Sequence, residues 1–207
     1  YVVDPEIRYH YAPRQSGKFL NRNTWFVNDL AMPTARDWQP DSVPDLVVIG
    51  NSIVAGGNPY DHAEKLAPLL QRAAAGRYAV WPVATGGWSG VNQIAYLERH
   101  PEVVAAADAF VWSHTLGGFG TASPWLGDDV FPRSRPLSAA YHVLRRQIVQ
   151  RFGHLPALQG EGKRPGSAPP PTPEQYAQNL ARFDATVERL AHATRRRRGG
   201  VLLLYPT

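Results

Sequence analysis

The 207 residues contain no cysteine, which excludes disulfides, thiolate metal ligands and a cysteine nucleophile, and leaves the redox compartment unmarked. No apolar run approaches the roughly 20 residues that a membrane-spanning helix needs. Histidines are never paired at the spacing of a zinc site, so no metal is expected, and no cofactor either. No lysine follows Gly56-Gly57, and the glycines at 50, 56 and 57 fit neither the dinucleotide fingerprint nor the P-loop, which weighs against a nucleotide site between Gly50 and Gly57. Internal repeats are absent. Charged residues make up only 19%, against 43% hydrophobic ones, the balance of a globular chain. The sequence opens on Tyr1, which reads as a fragment or a processed form, with any signal or membrane anchor outside it.

The formal net charge is +5. Its densest cluster, Arg195-Arg196-Arg197-Arg198, ends a predicted helix, where cations complement the helix dipole. No series of stacking aromatics accompanies it, so it reads as a solvated helix end and no nucleic-acid partner is expected.

What is present begins with Leu46-Val47-Val48-Ile49-Gly50-Asn51-Ser52-Ile53. The valine- and isoleucine-rich run predicts a strand buried on both faces. Gly50 permits a sharp turn, and Ser52 then stands at the carboxyl edge of a sheet, where open α/β folds bind their ligands. Strand and helix signals alternate from there. Helices are predicted over 60–75 (apolar face Leu66, Leu69, Leu70), 91–99 (Ile94, Leu97) and 138–152 (Tyr141, Leu144, Ile148, Val149). Another starts at the capping box Thr172-Pro173-Glu174-Gln175 and carries Tyr176, Leu180, Phe183, Val187 and Leu190. Strands are predicted over 78–83, 109–112 and 201–205, the last one buried; Pro82 points to an edge position or a strand end. The proline-rich stretch 153–173 reads as an extended or disordered connector.

The alternation predicts a three-layer α/β/α domain with a mainly parallel sheet over residues 45–207. Residues 1–44 read as an irregular or extended segment packed on it, with a short hairpin across Asn21-Arg22-Asn23. Right-handed crossovers bring Gly50–Ser52, Ala84–Gly90, Ser113–Phe119 and Pro206-Thr207 to one edge. Trp88, Trp112, Trp125 and Phe119 are expected on or near that edge, able to stack on a sugar, line an acyl pocket or, for Trp112 above all, fill the core. Of the seven histidines, His114 is the one on the predicted edge, while His62, His100, His142, His192, His10 and His154 read as surface, terminal, helix or loop residues.

These segments resemble the SGNH (GDSL-type) hydrolase family, whose architecture is flavodoxin-like. The family's Gly-Asp-Ser block is matched by Gly50-Asn51-Ser52-Ile53, with asparagine in place of aspartate. Thr85-Gly86-Gly87-Trp88-Ser89 stands where a second block gives a glycine N–H to an oxyanion hole; Gly87 is the better match and Gly86 the alternative. The third block usually supplies an asparagine; Trp112–Phe119 has none, leaving Thr115 or His114 as substitute donors. The family's Asp-x-x-His block, which provides the base and its orienting carboxylate, does not occur in this sequence.

The resemblance implies acyl transfer from Ser52, with Ser52, Gly87 and Thr115 forming the oxyanion hole and Asn51, Gly86, Trp88 and His114 around it. It implies a small acyl ester as substrate, an O-acetyl group on carbohydrate above others. It also implies an extracytoplasmic setting, periplasmic or secreted. The departures at Asn51, in the third block and at the missing base motivate a second reading, a catalytically degenerate binding or scaffold module with the same fold.

Overall fold

The computed structural model describes residues 1–40, 43–114, 118–128, 131–134, 170–195 and 199–204, and isolated positions between 138 and 148. Four parallel strands form the central sheet: β5 (Asp45–Gly50), β6 (Ala79–Ala84), β7 (Ala109–Ser113) and β8 (Val201–Leu204), in the spatial order β6-β5-β7-β8. Numbered among themselves they run 2-1-3-4, the flavodoxin-like doubly wound order. Among the described residues, the helices packed against the sheet are α1 (Ser52–Ala55), α2 (Leu66–Ala73), α3 (Gly90–Arg99), α4 (Pro101–Ala106) and α5 (Pro173–Arg195).

Side-chain alternation along the strands builds the two faces. Val47, Ile49, Trp81, Val83, Phe110 and Trp112 join one core with Ile94 and Leu97 of α3, Val103 of α4, and Phe183 and Leu190 of α5. Val48, Val80 and Ala84 face the other way, onto Val54 and Ala55 of α1 and Ala67 of α2. Three layers result.

The edge strand β6 carries Pro82, as its sequence position suggests. Ala79 donates its N–H to Pro44 on the β5 side, so the N–H groups at even positions point outward, and Pro82 loses no ladder bond. Outside the sheet, Gln71 mimics a neighbouring strand. Its Oε1 accepts from Val80 N (2.8 Å) and its Nε2 donates to the Tyr78 carbonyl (2.8 Å).

Two antiparallel hairpins precede the sheet, β1 (Val2–Asp4) with β2 (Arg8–His10) and β3 (Gln15–Phe19) with β4 (Asn23–Val27). The second turns at Leu20 and Asn21, both with positive φ (51° and 55°). The first hairpin gives no sequence signal: its strands are three residues long, and its turn is made by Asp4 Oδ1 accepting from Glu6 N and Ile7 N (2.8 Å each). Ile7, Tyr9 and Met32 are buried in the core that α3 and α5 share with the sheet.

Four expectations change. The helix expected over 60–75 is broken at Lys65, whose backbone is extended; Asp61 caps a separate 3₁₀ turn at His62–Glu64, and α2 restarts at Leu66. Leu69 then faces solvent, because α2 turns Leu66, Ala67 and Leu70 to the sheet. Strand β8 is half exposed, not buried: Val201 and Leu203 meet the core, while Leu202 and Leu204 lie on the face that α1 and α2 cover over β5, β6 and, at Val111, part of β7. The described positions 140, 141, 143, 144, 147 and 148 are helical, but Tyr141, Leu144 and Ile148 are exposed. Tyr176 and Leu180 are likewise exposed on α5, whose core contacts start at Phe183. Residues 149–169, with Val149 and most of the predicted connector, lie outside the described residues.

Candidate functional site

The sharp turn after β5 depends on Gly50. A Cβ there would stand 2.4 Å from Val54 Cγ2 and 3.5 Å from Ser113 Cβ. The missing side chain lets α1 fold straight back over the strand end. Asn51 caps that helix, its Oδ1 accepting from Ile53 N (3.0 Å). An aspartate oxygen would accept equally well, so the capping role is indifferent to the exchange that separates this segment from Gly-Asp-Ser. Ser52 is the first residue of α1 and is exposed.

Register levels the strand ends. Gly50 pairs with Ala84, Ile49 with Trp112, and Ser113 with Leu204. The segments Gly50–Ser52, Thr85–Ser89 and Ser113-His114 therefore leave the sheet at one rim. Strands β5 and β7 flank the point where the winding reverses direction, which is where doubly wound sheets open a crevice. Ser52 stands at that point. Thr115 lies outside the described residues.

Gly87 has φ +84°, a conformation that favours glycine. A Cβ on it would stand 2.7 Å from the Tyr9 hydroxyl and 3.5 Å from Phe131 Cζ. Tyr9 donates that hydroxyl to the Gly86 carbonyl (2.9 Å) and accepts at its own carbonyl from Trp88 Nε1 (2.7 Å). Its ring stacks on Phe131 with centroids 4.8 Å apart. Burial pushes the Tyr11 phenol up, opposed by hydrogen bonding with the Tyr1 side chain and the Gly86 backbone. The glycine pair is thus held from the N-terminal segment.

Trp88 and His114 are buried. The His114 ring is boxed by Trp112 (4.8 Å), Phe119 (4.8 Å) and, edge-on, Phe183 (4.6 Å). Desolvation there drives its pKa down to about 4, so the imidazole is neutral at pH 7. Trp112 and Phe119 are buried too, and Trp125 is half-buried with Arg133 4.5 Å over its ring. His62 packs edge-on against Phe26 at 5.0 Å, and burial lowers its pKa. His100 pairs with Glu102 (2.9 Å), and His10 Nδ1 meets the Tyr11 carbonyl (2.6 Å). Among the described residues no histidine is hydrogen-bonded to Ser52, and no three metal-ligating side chains converge.

Two residues that hold the rim are absent from the sequence reading. Asn92 is fully buried. Its Oδ1 accepts from Ser89 N (2.9 Å), Ser89 Oγ (2.8 Å) and Ser123 N (2.8 Å), and its Nδ2 donates to the carbonyls of Ile7 (2.8 Å) and Ser123 (3.0 Å). One amide ties the start of α3, the loop at 121–123 and the first hairpin together. The three-residue spacing from Ser89 was a visible clue, since it is that of a capping box. Tyr9 offers no such clue, for its partner is 77 residues away. A cleft of about 280 Å³ lies elsewhere, lined by Arg14, Ser16, Phe26, Asn28 and Asp37 of the second hairpin and its surroundings.

No known family profile matches the sequence, and no curated protein does. Among solved structures, the chain is similar to the one titled "Crystal Structure of TesA", at 19% identity and a TM-score of 0.36. The similarity covers 77% of this chain and 58% of TesA, so the chain spans little more than half the length of the structure it matches.

Proposed function

We propose that this domain is a serine-dependent ester hydrolase or acyltransferase acting through Ser52. The observation that carries this reading is an exposed serine at the first position of α1, at the reversal point of the sheet, on the same rim as the positive-φ Gly86-Gly87 turn. The Ser52 hydroxyl oxygen attacks the ester carbonyl and gives its proton to a base. The tetrahedral intermediate collapses with loss of the alcohol, which takes that proton. Water or an acceptor hydroxyl then attacks the acyl-serine, and the enzyme is restored. N–H groups of Ser52, as the first residue of a helix, and of Gly87 are the donors for the oxyanion. Thr115 is the third donor in this reading.

The base is a histidine held by a carboxylate, which the family pattern assigns to an Asp-x-x-His segment; this sequence contains none. The substrate class is a small acyl ester, with acetylated carbohydrate as its preferred form in an extracytoplasmic setting. The test is made on the full gene product. Ser52 takes up a fluorophosphonate covalently, and Ser52→Ala abolishes turnover of a short-chain aryl acetate. Activity undiminished in that variant rejects Ser52 as nucleophile. Silence toward the probe in folded full-length protein favours the binding module, a reading motivated by asparagine at position 51 in place of the family's aspartate.

A further inference from the structure

We propose that Tyr9, contributed by the N-terminal hairpin, is a positioning residue for the acyl-transfer site, fixing the Gly86-Gly87 turn so that the Gly87 N–H faces the reacting carbonyl. The inference rests on the serine-hydrolase reading for its catalytic consequence, but not for the clamp itself.

The geometry is specific. A peptide unit with φ +84° at Gly87 is one of several conformations a glycine pair can take, so something must select it. Tyr9 grips both ends of the turn: its hydroxyl holds the Gly86 carbonyl at 2.9 Å, and its backbone carbonyl holds the Trp88 indole at 2.7 Å. The peptide that links Gly86 to Gly87 consists of that same Gly86 carbonyl and the Gly87 N–H. Peptide planarity sets the two groups in opposite directions. Pinning the carbonyl toward Tyr9 therefore aims the N–H away from Tyr9. Tyr9 itself does not drift, because its ring is buried and stacked on Phe131. The hydroxyl also fills the volume a Cβ on Gly87 would need, at 2.7 Å. Residue identity at 9 and at 87 is thus coupled.

The experiment compares Tyr9→Phe with the parent protein in the full gene product. Phenylalanine keeps the ring, its stacking and the backbone carbonyl, and loses only the bond to Gly86. Expected is amide hydrogen exchange several-fold faster at Trp88, whose N–H closes the turn on the Thr85 carbonyl at 3.3 Å, with a thermal midpoint within a few degrees of the parent. Also expected is a roughly tenfold fall in kcat on aryl acetate at unchanged KM, as for a misaimed oxyanion donor. In a double-mutant cycle, Tyr9→Phe partly rescues Gly87→Ala, since the clash with the hydroxyl is gone.

Unchanged exchange at Trp88 overturns the clamp, whatever the activity. Faster exchange with kcat intact, in a protein that Ser52→Ala inactivates, overturns the catalytic positioning. Should Ser52→Ala retain activity, the hydrolase reading falls and the exchange result alone decides the clamp.

Discussion

A neutral imidazole sealed in an aromatic box has a measurable cost in acid. His114 has its pKa lowered to about 4 in the folded chain, while an unfolded chain restores the ordinary value of about 6.5. Above 6.5 neither state is protonated and His114 contributes nothing to pH dependence. Between 6.5 and 4 the unfolded state binds the proton and the folded state does not, so stability falls as pH falls through that window and levels off below it. The loss is about 3 kcal/mol for the single group. Urea midpoints between pH 7 and 4 test this, with His114→Phe expected to flatten the curve. A slope unaffected by the substitution would mean that the ring is solvated. The rim position of His114 is legible in the sequence, but its burial is not, because the three rings that enclose it come from residues 112, 119 and 183. Ser52 and Gly50 were legible because strand, turn and helix signals are consecutive. Tyr9 was not, because its contact is set by how two distant segments pack.

Elements with local signals are legible in the sequence, and the rest follow tertiary context. The capping box at the start of α5 is the clearest success. Thr172 Oγ1 accepts from Gln175 N (3.2 Å), and Gln175 Oε1 accepts from Thr172 N (3.0 Å). Thr172→Ala should lower stability by about 1 kcal/mol, read as a urea-midpoint shift with unchanged slope. No shift would mean that the first turn of α5, whose Tyr176 and Leu180 are exposed, is frayed in solution. The strands β5, β6 and β7 were also found close to their true bounds, since buried parallel strands are continuous apolar runs. The burial expected of β8 failed for a reason no run of residues reveals. An apolar strand is buried on both faces only where helices cover both, and α1 and α2 stop short of it.

At the scale of the whole molecule, the first eleven residues behave as part of the core. Ile7 and Tyr9 lie inside it, Asn92 holds the Ile7 carbonyl, and Trp88 holds Tyr9. Full burial of a large apolar side chain stabilises by about 1.5–3 kcal/mol. Deleting residues 1–11 should therefore cost on the order of 4 kcal/mol or more from Ile7 and Tyr9 together. It should also expose enough apolar surface for dye binding by 8-anilinonaphthalene sulfonate. A truncated protein with the parent's denaturation midpoint would show that the hairpin is an appendage.

The two margins of the central sheet are unequal in one further respect. Along β6 the outward Val80 N–H is held by the Gln71 amide and the Val80 carbonyl by Arg36, and the outward N–H is missing outright at Pro82. A foreign strand finds no continuous template there. Along β8, Leu202 and Leu204 stand exposed beside the opposite margin. Annealing of another polypeptide onto the β6 margin is therefore blocked at Val80 and Pro82, and Gln71→Ala is the change that would loosen that block.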